Sequence, residues 1–189
     1  MDVLVGASRV AVIGSPGAGK SSLAARLAAV TSLPLVNLDR EFWQPGWVEP
    51  PKDAWDARVV ALSNAENWII DGNYARTLAT RLGRADLVIF LDPSVALCLW
   101  RAINRVVIGH GRVREDIAAG CPERWDFVFF QHIMTFRARV RPSILQALAA
   151  YQGRYVHLKS RKEIDDFLAG LATASLRSRA RRDPGLPPG

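Results

Sequence analysis

Long hydrophobic runs are missing from this chain of 189 residues. No stretch approaches the ~20 apolar residues that a membrane span needs. The longest candidate, residues 94–108, is interrupted by Arg101, Asn104 and Arg105. The first ten residues have neither a basic start nor an extended apolar segment, so a secretory signal is not expected. Cysteine is scarce: Cys98 and Cys121 have no metal-ligand spacing and make no disulfide framework. This usage predicts a reducing, cytoplasmic location with no membrane partner. Histidine is scarce too. His110, His132 and His157 are scattered, which argues against a histidine metal site. His110 falls in a polar loop, where a solvated residue is the simpler reading than a phosphate contact.

Enough remains for a core. The chain is 49% hydrophobic and 23% charged, a globular composition at a length that suits one domain. The net charge of +7 is unevenly placed. Residues 1–100 carry nine basic and ten acidic side chains, whereas residues 101–141 carry eight arginines against four acids. Residues 172–189 add four arginines and one aspartate and end in PGLPPG. This tail is predicted to be disordered, outside a single domain at 1–171. Arginine forks match phosphate oxygens, so the 101–141 segment is either a solvated basic face or an anion site. Charge alone favours the first.

Short apolar runs at 9–13, 35–38, 68–70, 87–91 and 154–158 read as buried strands. Helical patterns lie between and after them, at 21–30, about 53–64, 74–82, about 95–107 and 161–171. A further helical stretch after Pro122 is expected to bend or break before Pro142. Strands alternating with helices predict an α/β domain with a parallel sheet covered on both faces. Ligands bind such sheets at the carboxyl ends of the strands, where Gly14, Asp39, Asp71 and Asp92 fall.

Gly14-Ser15-Pro16-Gly17-Ala18-Gly19-Lys20-Ser21 fits G-x-x-x-x-G-K-[ST] at every fixed position, after a strand and before a helix. Glycines let the backbone curl so that its N–H groups converge on phosphate oxygens, and the helix N-terminus adds positive potential. Lys20 then reaches the β- and γ-phosphates, and the Ser21 hydroxyl takes Mg²⁺. ATP and Mg²⁺ are therefore the expected cofactors. Asp71, closing the run Trp68-Ile69-Ile70, reads as the second carboxylate for Mg²⁺. Asp92 has the same placement, but the following Pro93 makes it a helix cap instead. Asp39 reads equally as a turn residue, an acceptor-site carboxylate or a metal ligand. Phe42, Trp43 and Trp47 lie beside it and either stack on an acceptor or form a folded lid. Trp55, Trp68, Trp100 and Trp125 read as packing residues.

These residues make the chain resemble the DNA topology modulation protein family (FlaR-like), which is similar to adenylate kinase and other small P-loop kinases. The resemblance spans residues 9–171. It is carried by GSPGAGKSS at 14–22, NLDREFWQPGW at 37–47, WIIDGNY at 68–74, LDPSVALCLWR at 91–101, GCPE at 120–123 and LKSRKE at 158–163. It implies a P-loop NTPase fold of five parallel strands in order 2-3-1-4-5, an acceptor-site insert and a short lid at about 109–122. Carried over by residue, 14–22 including Ser22 would hold the donor, and Arg105 resembles a lid-hinge arginine on its adenine. Arg112 and Arg114 fall in the lid loop, and Arg139 and Arg141 on the returning helix among phosphate-binding arginines. Asp71-Gly72 resembles the opening of the acceptor motif. Asn73 and Tyr74 then depart from its Phe-Pro, and an arginine comes only at Arg76. With Asp39, Phe42, Trp43 and Arg141, Arg76 completes the expected acceptor side.

The resemblance implies an ATP-binding phosphotransferase acting on an unidentified small molecule. Lys20, Asp39, Arg112, Arg114 and Arg139 are the expected catalytic residues. A nucleic-acid-binding modulator of DNA topology, or an ATP-binding regulator without transfer, is the alternative. The basic segment does not discriminate, and no nucleic-acid-reading module is visible.

Overall fold

The structure is a computed structural model and describes residue 4 and residues 6–182. Five strands form one parallel sheet: β1 (Arg9–Gly14), β2 (Leu35–Asn37), β3 (Trp68–Asp71), β4 (Leu87–Leu91) and β5 (Arg154–Leu158). Their order is β2-β3-β1-β4-β5, as expected. Parallel pairing sets Val12 beside Asp71, and Gly14 beside Leu91. The phosphate loop and Asp71 thus meet at the carboxyl ends of the central strands.

Eight helices complete the described chain: α1 (Lys20–Thr31), α2 (Leu38–Phe42), α3 (Lys52–Ser63), α4 (Ala75–Leu82), α5 (Val95–Gly109), α6 (Phe127–Arg139), α7 (Arg141–Ala150) and α8 (Arg161–Arg182). Strand side chains alternate between two cores. On one face Val10, Val12, Ile69 and Ile89 pack with Leu23 and Leu27 of α1, Cys98 and Ala102 of α5 and Ile164 of α8. On the other, Ala11, Ile13, Ile70 and Phe90 pack with Trp55, Leu78, Phe136 and Ile144. Because β1, β3 and β4 are covered on both sides, their sequences are continuously apolar rather than alternating.

Four local expectations need correction. The short helix α2 follows β2 directly, where the sequence reads as a turn. The last helix runs on to Arg182, past the expected end at Leu171, because nothing before Pro184 stops a run of good helix formers. The remainder of the expected tail, 183–189, lies outside the described residues. Trp100 and Trp125 are not core residues: they are 58% and 51% exposed, and Trp125 rests only on the Phe130 ring, at 5.9 Å, among the described aromatic contacts. In α5 the inward positions are Cys98, Ala102 and Val106, which turns Trp100 outward. Finally, Asp92 caps nothing. Ser94 is the N-cap of α5 and accepts from Leu97 N–H at 3.3 Å, since Pro93 keeps the chain extended until Val95. The expected break before Pro142 is present, with α6 ending at Arg139 and Pro142 in the first turn of α7. Among the described residues no helix is long and apolar enough to cross a membrane.

Candidate active site

The phosphate loop joins β1 to α1 and is held tightly from outside. Gly14 adopts φ 146° and Gly17 φ 76°. A side chain at Gly14 would meet the Leu91 carbonyl of β4, and one at Gly17 would come within 2.5 Å of the Cys98 carbonyl oxygen of α5. Both positions therefore require glycine. Ser15 N–H donates to the Leu91 carbonyl at 3.0 Å, and Ala18 N–H to the Ser15 carbonyl at 3.1 Å. Arg101 Nη1 braces the loop by donating to the Ala18 carbonyl at 2.8 Å. Lys20 Nζ curls back to the Ser15 carbonyl at 3.1 Å, which places the ammonium over the loop. Ser21 and Ser22 lie in the first turn of α1.

Asp71 ends β3 beside this loop and is buried. Its Oδ1 has no hydrogen-bond partner. Burial pushes its pKa up from 3.8 to about 6, against the pull of the Lys20 ammonium and the Ser21 hydroxyl; the charges of Asp39 and Asp116 push it further up. A buried carboxylate oxygen without a partner, next to a serine hydroxyl on a phosphate loop, suits Mg²⁺. That ion takes one or two protein oxygens and completes its shell with phosphate oxygens and water. The residues present fit the metal. Among the described residues no group of three or more His, Cys, Asp or Glu side chains is arranged as a cage, and a phosphate-borne magnesium needs none.

The turn after Asp71 holds residues that sequence reasoning did not single out. Asn73 grips Gly14 from both sides: Gly14 N–H donates to Asn73 Oδ1 at 2.9 Å, and Asn73 Nδ2 donates to the Gly14 carbonyl at 2.6 Å. Beneath the turn Arg81 of α4 is fully buried. It donates to the carbonyls of Gly72 (2.7 Å), Asn73 and Tyr74 (3.3 Å). Burial depresses its pKa to about 10, although nearby Asp71 supports the charge. Tyr74 sits at φ 37° and its hydroxyl donates to Asp39 Oδ1 at 2.8 Å. Burial and the Asp39 carboxylate raise the Tyr74 pKa and keep the phenol protonated. The only sequence signal for this network was the departure from Phe-Pro at Asn73-Tyr74.

On the acceptor side the aromatics pack on one another and on the lid. Phe42 contacts Trp43, Trp55 and Tyr74 at ring-centroid distances of 4.9, 4.9 and 4.8 Å. Trp43 and Trp47 cover Ile117, Ala118 and Cys121 of the segment between α5 and α6. Gly46 N–H donates to the Gly120 carbonyl at 2.9 Å, Trp47 Nε1 to the Pro122 carbonyl at 3.2 Å, and Cys121 Sγ to the Gln44 carbonyl at 3.2 Å. A cleft of about 400 Å³ lies against this junction, lined by Arg40, Val113, Arg114, Glu115, Ile117 and Ala119.

The expected arginines take different places. Glu123, 6% exposed, receives Arg105 at 3.1 Å and Arg114 at 2.6 Å, and Arg114 also reaches Asp116 at 2.8 Å. Arg105 stacks 5.2 Å over the Phe129 ring; burial and the Arg114 charge lower its pKa. Arg141 pairs with buried Asp92 at 2.7 Å, which also receives His157 at 3.1 Å and Arg137 at 3.9 Å. Arg76 turns to Asp53 and Asp56, at 3.5 and 2.7 Å. Arg112 and Arg139 are exposed and make no side-chain ion pair among the described residues.

A G-x-x-x-x-G-K-S loop between β1 and α1 of a 2-3-1-4-5 parallel sheet defines the α/β fold of the P-loop NTPases. No protein-family model and no curated protein matches the sequence. Solved structures do match. The shikimate kinase of Bacteroides thetaiotaomicron shares 16% identity over 94% of this chain and 99% of its own, with a TM-score of 0.51. The shikimate kinase of Acinetobacter baumannii, solved with shikimate, shares 15% over 93% and 96%, with a TM-score of 0.54. At this identity the likeness is one of fold.

Proposed function

We propose that this chain is an ATP-dependent phosphotransferase acting on a small molecule. The observation that carries the reading is the convergence on one point of the phosphate loop, the Lys20 ammonium and the orphaned Asp71 carboxylate oxygen. In this reading the loop amides and Lys20 hold the β- and γ-phosphates, and Ser21 and Asp71 hold Mg²⁺, which neutralises charge on the transferring group. Asn73, Arg101 and Arg81 keep that frame rigid, so that its dipoles need not reorganise. The lid brings Arg112 and Arg114 towards the phosphates and excludes water, with Arg139 adding charge from α6 and Arg105 packing near the base. The names of the fold neighbours agree with phosphoryl transfer to a small molecule. The finer resemblance, to the DNA topology modulation proteins, rests on the sequence motifs alone.

Nucleic-acid binding is the competing class. Against it, four arginines of the basic segment, Arg105, Arg114, Arg137 and Arg141, are paired with Glu123, Asp116 and Asp92 and leave less open charge than the sequence suggests. The decisive experiment incubates the chain with γ-labelled ATP and a panel of nucleosides, nucleotides and small metabolites, and follows label transfer and MgATP-induced thermal stabilisation. Lys20→Ala should keep the fold and lose both signals. Undiminished MgATP stabilisation in that variant refutes the loop assignment. DNA binding without label transfer reverses the order of the two classes.

A further inference from the structure

We infer that the acceptor is a small-molecule hydroxyl group, with Asp39 taking its proton, and not the phosphate of a nucleoside monophosphate. This rests on the reading of the chain as an ATP-dependent kinase.

A nucleoside monophosphate presents a dianionic phosphate, which proteins grip with converging guanidinium forks. The acceptor side, helices α2 to α4, carries four arginines. Three are committed elsewhere. Arg58 holds Glu41 through contacts of 2.9 and 2.6 Å. Arg76 is held by Asp53 and Asp56. Arg81 is buried beneath the 72–74 turn and spent on backbone carbonyls. Arg40 remains, lining the 400 Å³ cleft beside Arg114; Arg114 is held by Asp116 and Glu123, which leaves one uncommitted guanidinium. It can receive one anionic substituent of an acceptor, but it is not a converging pair.

The acceptor side also carries a carboxylate. Asp39 lies in the first turn of α2, two residues after Asn37, which pairs with Asp71 across β2 and β3. The Asp39 carboxylate repels a second phosphate, whereas a neutral hydroxyl finds in it an acceptor for its proton. The Tyr74 hydroxyl occupies Asp39 Oδ1, which fixes the carboxylate and leaves Oδ2 for the substrate. The rings of Phe42, Trp55 and Tyr74, mutually 4.8 to 4.9 Å apart, form an apolar wall beside it. The step balances. The acceptor oxygen forms a bond to the γ-phosphorus. The bond from that phosphorus to the bridging oxygen breaks, and ADP leaves with the electron pair. The hydroxyl proton passes to Asp39 and then to water, leaving a phosphate monoester.

The test presents γ-labelled MgATP with two sets of acceptors: the four common nucleoside monophosphates, and hydroxyl compounds comprising nucleosides, sugars, polyols and hydroxy acids. Label should enter a hydroxyl compound and no nucleoside monophosphate. Asp39→Asn should lower kcat about 10²- to 10⁴-fold while the MgATP dissociation constant stays within about threefold. Tyr74→Phe should give a smaller loss with a shifted pH profile. Diadenosine pentaphosphate, which spans donor and monophosphate sites, should bind no tighter than ATP. Labelled nucleoside diphosphate, tight diadenosine pentaphosphate binding, an unchanged kcat in Asp39→Asn, or no labelled hydroxyl compound from a chain that binds MgATP would each overturn the inference. A wild-type chain that MgATP does not stabilise would instead overturn the kinase reading beneath it.

Discussion

Replacing Asp71 by asparagine should make the nucleotide-free protein more stable and less active. Desolvation disfavours the ionised form of a buried carboxylate, and the Asp71 pKa rises from 3.8 to about 6 on folding. The folded chain therefore binds this proton more tightly than the unfolded chain. The sign follows: stability from this group is highest at acid pH and declines as pH rises through about 4 to 6. At about 1.4 kcal/mol per pH unit, ionised Asp71 costs the fold about 3 kcal/mol at pH 8 and about 1 kcal/mol at pH 4.5. Asparagine has nearly the same shape and no charge to desolvate. Asp71→Asn should gain about 3 kcal/mol at pH 8, or about 6–12 °C in Tm for a chain of this size, and about a third of that at pH 4.5. Urea unfolding in EDTA at both pH values measures it. With MgATP the order reverses, because the variant loses the carboxylate that holds the metal. Turnover should fall further than nucleotide affinity. A variant less stable than wild type at pH 8, or an advantage equal at both pH values, would refute the account of Asp71 as a strained, metal-ready carboxylate.

Asp92→Asn removes the charge that pairs with Arg141 and His157; unfolding should show a loss of about 1–3 kcal/mol, with turnover little changed, and a fall in turnover equal to that of Asp71→Asn would contradict the separation of their roles. Asn73→Ala deletes both bonds to Gly14 and should weaken MgATP binding about tenfold by calorimetry, equivalent to about 1.4 kcal/mol. Trp47→Ala frees the 43–48 loop from the lid; hydrogen exchange at the Gly46 amide should speed up with the rest of the sheet unaffected, and unchanged protection would mean the loop is held from elsewhere.

Local chemistry made much of this protein legible in its sequence. The glycine spacing at 14–19 is dictated by the phosphate loop itself, so the motif, its strand and its helix read directly. Apolar runs at β1, β3 and β4 read as central parallel strands because burial on both faces removes alternation. Asp71 could be preferred over Asp92 from the proline that follows Asp92. The cap expected of Asp92 is absent, because its carboxylate is taken up by Arg141 and His157. Trp100 turns outward because aromatic character does not reveal which way a helix faces, and Trp125 lies before α6 rather than in a helix.

The sequence by itself determined the five strands and their alternation with the longer helices, the phosphate loop, and Asp71 as a carboxylate that ends a strand. All of these follow from periodicity and from conformations that few residues can adopt. The partners were decided by tertiary structure alone. Asn73 reaches Gly14 across 59 residues and Trp47 reaches Pro122 across 75. Arginines that look interchangeable in the chain divide into Arg81 beneath a turn, Arg105 and Arg114 on Glu123, and Arg141 on Asp92. A guanidinium seeks whatever oxygen lies within its reach, and which oxygen that is depends on how α4 to α7 pack around the sheet.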